Sequence, residues 1–264
     1  MLASSAEAED AVQDAWLRWR SADTAAIGNA RAWLSTTIAR ICLDRLKSAR
    51  ARRETHPGIW LPEPVLTTTP LDVASIQFAF LVLLERLDPK QRAVFLLYQV
   101  FDYSHAEIAA ALDINEADSR QALHRAKEHV AASKPRLPVN REAHGRLLSA
   151  FIAAVSRGDV EAISSVLAED VTLEGDHGEK VRGAILRPIV GRERVARFFA
   201  SQTTRAGSSR QPDVEITDVN GWPALVVRSG GSIVCVIHVE TDGASITTIR
   251  SVLDPQKLHL RHVS

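Results

Sequence analysis

The sequence predicts a multi-domain chain: two all-α domains, the second built on a helix-turn-helix, followed by a C-terminal α+β domain. Three observations predict it. Residues 87–132 hold two helical patterns around a tight turn. Proline-rich stretches at 55–75 and around Pro135 and Pro138 cut the chain. Beyond them the apolar period shifts from helical spacing to strict alternation at Ile233, Cys235, Ile237 and Val239.

In the helix-turn-helix, Ile108 and Leu112 lie one turn apart and share a face. The turn falls on Asp113, Ile114 and Asn115, with Asp113 where a left-handed residue is wanted, a conformation Asp tolerates. Ser119, Leu123, Ala126 and Val130 form the buried stripe of the second helix, although Ser119 is a weak core residue. The opposite face carries Arg120, Gln121, His124, Arg125 and Lys127. Such residues suit DNA: Arg and Lys neutralise phosphates, Arg pairs bidentately with guanine, and Gln does so with adenine. A solvated face of a helical bundle would be equally charged.

The first helical segment, residues 5–20, has Ser5 as its expected cap and Val12, Trp16 and Trp19 as its apolar stripe. Asp10, Gln13, Asp14 and Arg20 lie off that stripe. A second helix over 29–53 takes its apolar positions from Trp33, Leu34, Ile38, Ile41, Leu43 and Leu46. Between Arg31 and Arg53 it holds seven basic residues against one acid, Asp44. Charge of that kind beside Trp and Thr side chains suits strand contact, because flat groups stack on exposed bases. The whole chain of 264 residues is nonetheless neutral, so the basic patch is local.

The two cysteines, Cys42 and Cys235, stand far apart and outside any metal-ligand spacing, as buried free thiols of a reducing compartment do. No signal peptide is visible, and the longest apolar run, 78–84, is too short to span a membrane. A cytoplasmic protein without cofactor, metal or membrane contact is expected. The segment 55–75 should be extended, because proline fixes φ and cannot continue a helix. Trp60 and Leu61 are unusual in a plain linker and suggest that it docks on something.

After the second break come helices at 143–156, near 160–167 and at 192–201. A strand begins at Val171, and further strands fall at 213–219, 222–228, 231–240 and 244–252. Helices followed by a curled antiparallel sheet make an α+β domain. Asp170, Asp176, His177, Glu179, Lys180 and His238 are its candidates for proton transfer, although a lone strand histidine is more often a satisfied core residue.

Several stretches carry a family resemblance. Leu87-Asp88-Pro89-Lys90-Gln91-Arg92, then Val94 to Leu97, Glu107-Ile108-Ala109, Leu112 and Arg125-Ala126 resemble the fourth domain of a bacterial sigma factor of the extracytoplasmic-function type. The resemblance implies that Arg120, Gln121, His124, Arg125 and Lys127 face the minus-thirty-five promoter element. Ala8-Glu9-Asp10, Val12-Gln13-Asp14 and Trp16-Leu17-Arg18 resemble the helix of the second sigma domain that docks on RNA polymerase core. It implies a polymerase contact through Asp10, Gln13, Asp14, Leu17 and Arg20. Arg31 to Leu34, Arg40, Asp44 to Lys47 and Arg52-Arg53-Glu54 resemble the helix that opens the minus-ten element. Arg31, Trp33, Thr36, Thr37, Arg40, Arg45 and Lys47 are then its contacts. The family has a further amphipathic helix before the Ala8 segment, so this domain reads as N-terminally short.

Trp60-Leu61-Pro62-Glu63-Pro64 resembles the linker signature of the sigma subgroup with a C-terminal SnoaL-like domain. Asp176-His177-Gly178-Glu179-Lys180 stands where that subgroup has an Asp-Gly-Gly-Gly-Lys loop. Asp254-Pro255-Gln256-Lys257-Leu258 is similar to its C-terminal Asn-Pro-Asp-Lys-Leu signature. The third domain then resembles a SnoaL-like, ketosteroid-isomerase-like cone, which by that resemblance regulates the sigma domains and need not catalyse anything. Contact between the linker and the 176–180 loop is expected. The implied division is 1–54 for sigma domain two, 55–75 for the linker, 76–134 for sigma domain four and 141–260 for the SnoaL-like domain. The expected partners are RNA polymerase core and promoter DNA, with room for a small-molecule ligand in the cone. Two other readings stay open: a ligand-responsive helix-turn-helix regulator that never engages polymerase, and a small isomerase or cyclase with a helical appendage.

Overall fold

The computed structural model describes residues 1–2, 4–54, 59–67, 78–132, 140–178, 185, 187–205, 212–259 and 262–263. The side chains of 49–54, 132, 203–205 and 262–263 are not among them. The chain divides into two compact units, one of Met1–Thr55 with Leu81–Pro135, the other of His56–Phe80 with Arg136–Ser264.

The first unit is helical. Helix α1 (Ser5–Ser21) packs on α2 (Ala30–Glu54), which in turn packs on α4 (Pro89–Gln99) and α5 (His105–Leu112). Ser4, not Ser5, caps α1 through its side chain. The inward face of α1 is Ala11 and Ala15, each 1% exposed, packed with Ile41 and Cys42. The expected stripe of Val12 and Trp16 instead faces outward. Small side chains one turn apart let two helices approach closely, which the larger residues would prevent.

The end of α3 (Phe78–Arg86) joins α4 through a buried ion pair, Arg92 to Glu85 at 2.7 Å. Asp88 caps α4 by accepting from the Gln91 amide, with Pro89 in the first turn, where its missing N–H is harmless. Ser104 and Glu107 form a reciprocal capping box on α5. Asp113 ends that helix in the left-handed conformation at φ 54°, and Asn115 accepts from the Asp118 amide at the start of α6 (Glu116–Ala132). Ser119 is fully buried because its hydroxyl meets His105 Nδ1 at 2.9 Å. That bond is why a serine serves in the buried stripe: an apolar residue there would leave the imidazole without it.

The second unit is α+β. Helices α7 (Arg141–Ser156), α8 (Val160–Ser165) and α9 (Arg192–Arg205) cover one side of a sheet. Its strands are β1 (Leu66–Thr67), β2 (Leu167–Asp176), β3 (Ile189–Val190), β4 (Asp213–Val219), β5 (Trp222–Ser229), β6 (Ser232–Thr241), β7 (Ile246–Val252) and β8 (His262–Val263). Their order is β3-β2-β7-β6-β5-β4-β1-β8. The sheet is not wholly antiparallel as expected: β2 pairs with β7 in parallel, and β1 with β8. The β2–β7 parallel pair arises because the chain reaches β2 from helices that lie across the sheet, not from a hairpin.

Two faces follow from the register. Leu173, Ile249, Val239, Ile237 and Leu225 point to the helices and pack with Leu148, Phe151, Ile163 and Phe199. Glu174, Arg250 and His238 line up across the other face, and Asp176, Val252 and Val236 form the next row. Segment 60–67, read as a linker, extends the sheet as well: β1 pairs antiparallel with β4. No helix among the described residues is long and apolar enough to cross a membrane.

Candidate functional site

Helix α6 presents Arg120, Gln121, His124, Arg125 and Lys127, all exposed. Three of them already hold partners. Arg120 pairs with Glu116 at 2.9 Å, His124 lies 3.4 Å from Glu128, and Lys127 sits over the Tyr98 ring at 5.4 Å. Such exposed pairs are worth well under about 1 kcal/mol, so phosphate can displace them. Gln121 and Arg125, four residues apart, share one outward face. Their amide and guanidinium are the two groups best suited to bidentate base contacts.

In α2, Arg31 and Lys47 are exposed, while Trp33, Thr36 and Thr37 are half-buried. Trp33 meets Trp19 edge-on at 5.4 Å. Arg45 donates to Asp14 at 2.6 Å and to the Glu7 carbonyl at 2.9 Å, with Asp10 at 3.8 Å. Residues that the resemblance assigns to different partners thus meet each other, and Arg45 joins α1 to α2. Arg40 reaches α5, where it donates to two main-chain carbonyls.

The outer face of α1 carries Val12, Trp16 and Leu17, which are 56%, 52% and 49% exposed. Gln13 and Asp10 flank them, and the Arg20 guanidinium lies over the Trp16 ring at 4.8 Å. An apolar strip with a polar margin on a surface helix has the make-up of a protein-docking face. Val12 and Trp16 were absent from the expected contact set. The alanine pair at 11 and 15 was the signal that would have turned the helix over.

In the second unit three sequence signatures converge. Asp176 is fully buried, and one of its oxygens accepts both from Lys257 Nζ at 2.6 Å and from the Leu61 amide at 2.8 Å. Lys257 also donates to the Leu61 carbonyl at 2.7 Å, and its ammonium lies 3.3 Å from the centre of the Trp60 ring. Both main-chain groups of Leu61 are therefore held by one buried ion pair. Leu61, Pro62 and Pro64 are buried, and Trp60 and Glu63 half-buried. Further along, the Val65 carbonyl accepts from the Asn220 amide at 2.7 Å.

The loop after β2 is shaped by two glycines. A Cβ on Gly175 would lie 2.3 Å from the His177 ring, and one on Gly178, at φ +61°, would lie 2.7 Å from the Asp254 carboxylate. Gly178 is the loop glycine kept from the resembled signature. Gly178→Ala should therefore lower the unfolding free energy of the chain by at least about 1–2 kcal/mol, measured by urea titration. His177 is buried, its Nε2 accepting from the Ile185 amide at 3.0 Å. Glu179 and Lys180 lie outside the described residues.

Among the described residues, the acid–base candidates do not assemble a catalytic group. Asp170 is exposed, and Asp176 is engaged by Lys257. His238 lies on the face away from the helices, stacked on Phe78 with ring centres 3.8 Å apart. Burial, with Arg250 and His144 nearby, pushes its pKa down to about 3. The folded chain keeps this ring neutral, whereas an unfolded one protonates below its ordinary value. Stability is thus expected to fall by about 1.4 kcal/mol per pH unit as pH drops from the ordinary histidine range towards 3. Urea titrations at neutral pH and pH 5 should show that slope, and His238→Leu should reduce it.

Arg250 pairs with Glu174 at 2.7 Å and with Glu240. Burial alone would lower its pKa, but the two carboxylates outweigh it and hold the guanidinium firmly charged. Both thiols are free, and burial raises their pKa values, that of Cys235 to about 12. Among the described residues no group of three or more His, Cys, Asp or Glu is placed to hold a metal.

Comparison with known proteins places these features in a family. Residues 1–52 match Sigma-70 region 2, residues 77–130 match Sigma-70 region 4, and residues 148–253 match a SnoaL-like domain. The ECF RNA polymerase sigma factor SigJ of Mycobacterium tuberculosis (strain ATCC 25618 / H37Rv) is 40% identical, over 82% of this chain and 72% of its own. A probable ECF RNA polymerase sigma factor, SigI, of the same organism is 30% identical over 95% of this chain and 86% of its own. The crystal structure of M. tuberculosis SigJ aligns with a TM-score of 0.73 at 31% identity, covering 96% of this chain and 89% of that one. The chain belongs to the ECF family of RNA polymerase sigma factors and carries a C-terminal SnoaL-like domain.

Proposed function

We propose that this sigma factor meets RNA polymerase core through the outer face of α1 and reads promoter DNA through α2 and α6. Val12, Trp16 and Leu17 supply the apolar centre of the polymerase contact, with Asp10, Gln13, Asp14 and Arg20 at its margin. Arg31, Trp33, Thr36, Thr37 and Lys47 face the minus-ten element, and Arg45 keeps α2 seated on α1. In α6, Gln121 and Arg125 read bases of the minus-thirty-five element, while Arg120, His124 and Lys127 lie along the phosphates.

The single observation that carries the regulatory half of this reading is the grip on Leu61. A linker whose amide and carbonyl both bond to one buried ion pair cannot move unless that pair opens. The SnoaL-like domain thereby sets how far the linker can extend. Pro62 and Pro64 stiffen the held segment, so the restraint passes along it. The helix-facing side of the sheet offers a ligand apolar contacts, because Asp176, His238 and Arg250 lie on the other face.

Run-off transcription with polymerase core tests the reading. Arg125→Ala should weaken promoter binding about 10- to 100-fold and relax selection at one base pair. Lys257→Met should change transcript yield without changing which promoter is used. Equal yields from wild type and Lys257→Met would remove the regulatory role of the grip.

A further inference from the structure

The last carbonyls of a helix have no partners within it. At the end of α5, the Asp113 and Ile114 amides both donate to the Ala109 carbonyl. The next two carbonyls are taken from outside: Arg40 on α2 donates through Nε to Ala111 at 2.7 Å and through a terminal nitrogen to Ala110 at 3.1 Å. A guanidinium at this end also opposes the negative pole of the helix dipole. Beside it on α2, Ala39 is 2% exposed, so the two helices approach closely at this point. α5 is the first helix of the helix-turn-helix, and α2 is the helix read here as the minus-ten contact.

The two promoter elements are named for positions about 25 base pairs apart, or roughly 85 Å of duplex at 3.4 Å per pair. A compact unit of about 100 residues has a radius of gyration near 13 Å and does not span that length. Helices α5 and α6 travel together, since they pack on each other and the His105–Ser119 bond ties them. When α6 lies on one element and α2 on the other, the bonds from Arg40 to α5 must be broken.

We infer that Arg40 is an intramolecular latch, closing the helix-turn-helix onto α2 in the free protein and releasing it when the promoter is engaged. The guanidinium exchanges two helix-end carbonyls for phosphate oxygens, which are acceptors of the same geometry and greater charge. The latch is consequently self-clearing: the same DNA that needs the unit open offers Arg40 a better partner. This inference rests on the reading of α2 as a DNA-contacting helix.

Spin labels at the exposed positions Ala30 and Ala131 in the full chain test it. Cys42 is buried and Cys235 half-buried, both with thiol pKa values raised, so labelling at neutral pH favours the two introduced cysteines. Wild type should give one narrow distance. Arg40→Ala should add a longer, broader population, with the open fraction rising about three- to tenfold, because the two bonds lie near the surface. Arg40→Lys keeps the charge but not the paired geometry, folds with less disturbance, and should fall between. A distance distribution unchanged in both variants overturns the latch. Affinity for the minus-ten strand in complex with polymerase core, measured on the same variants, separates the two ideas. Loss of strand affinity with an unchanged distance removes the latch and keeps the DNA contact. A longer distance with unchanged strand affinity keeps the closure by Arg40 but overturns its exchange for phosphate, and with it the release by DNA.

Discussion

Lys257→Met should lower the unfolding free energy of the chain by about 3–5 kcal/mol, the usual result of stripping one partner from a buried ion pair. Three losses combine. Asp176, fully buried, loses its cation; the Leu61 carbonyl loses a donor; and the Trp60 ring loses the ammonium above it. Urea denaturation followed by tryptophan emission should show the loss. Limited proteolysis should cut between residues 59 and 67 faster than in wild type. The paired replacement Asp176→Leu with Lys257→Met should be less harmful than Lys257→Met alone, because it leaves no isolated charge. A loss below about 1 kcal/mol, with the linker as protease-resistant as before, would show that the ion pair does not hold it.

Trp16→Glu should abolish specific transcription while leaving the fold intact. The side chain is half exposed on α1, so its replacement should alter stability by no more than about 0.5 kcal/mol. A central aromatic residue in a protein interface typically contributes 2 kcal/mol or more, which is about 30-fold in affinity. Anisotropy of labelled protein titrated with polymerase core should therefore show at least that weakening, and Leu17→Arg should behave alike. Val214→Glu, at another exposed apolar position on β4 of the second unit, serves as a control and should bind core normally. Core binding within threefold of wild type for Trp16→Glu would place the polymerase contact elsewhere.

Much of the architecture was legible because local chemistry and pattern agreed. The turn at Asp113, the strands of the C-terminal domain and the proline-rich segment each have a signal confined to a few neighbouring residues. The site was legible in its inventory but not in its pairing. Arg45 and Asp14 read separately as contacts for DNA and for polymerase, and 31 positions of sequence separate two side chains that the α1–α2 packing brings together. Lys257 stood in a recognised signature with no partner assigned. Its partner is set by the order of strands in the sheet, which no local period encodes. The orientation of α1 was misread for a different reason. Trp16 outweighs Ala15 in any count of apolar residues, but helix packing rewards the side chain that permits close approach. His238 and Phe78 met on the second face of the sheet, whose burial depends on a segment 160 residues away.

The grip on Leu61 has a consequence in time. Lys257 follows Leu61 by 196 residues. A ribosome adding about 5–20 residues per second needs roughly 10–40 s to cover that interval. Closing a loop of this length costs about 4–5 kcal/mol of chain entropy, so the bond forms late and only with the sheet in place. The helices of the first unit are complete well before. On the proposed role of the grip, each newly made molecule passes through a period without this restraint, which forms only once Lys257 has been made.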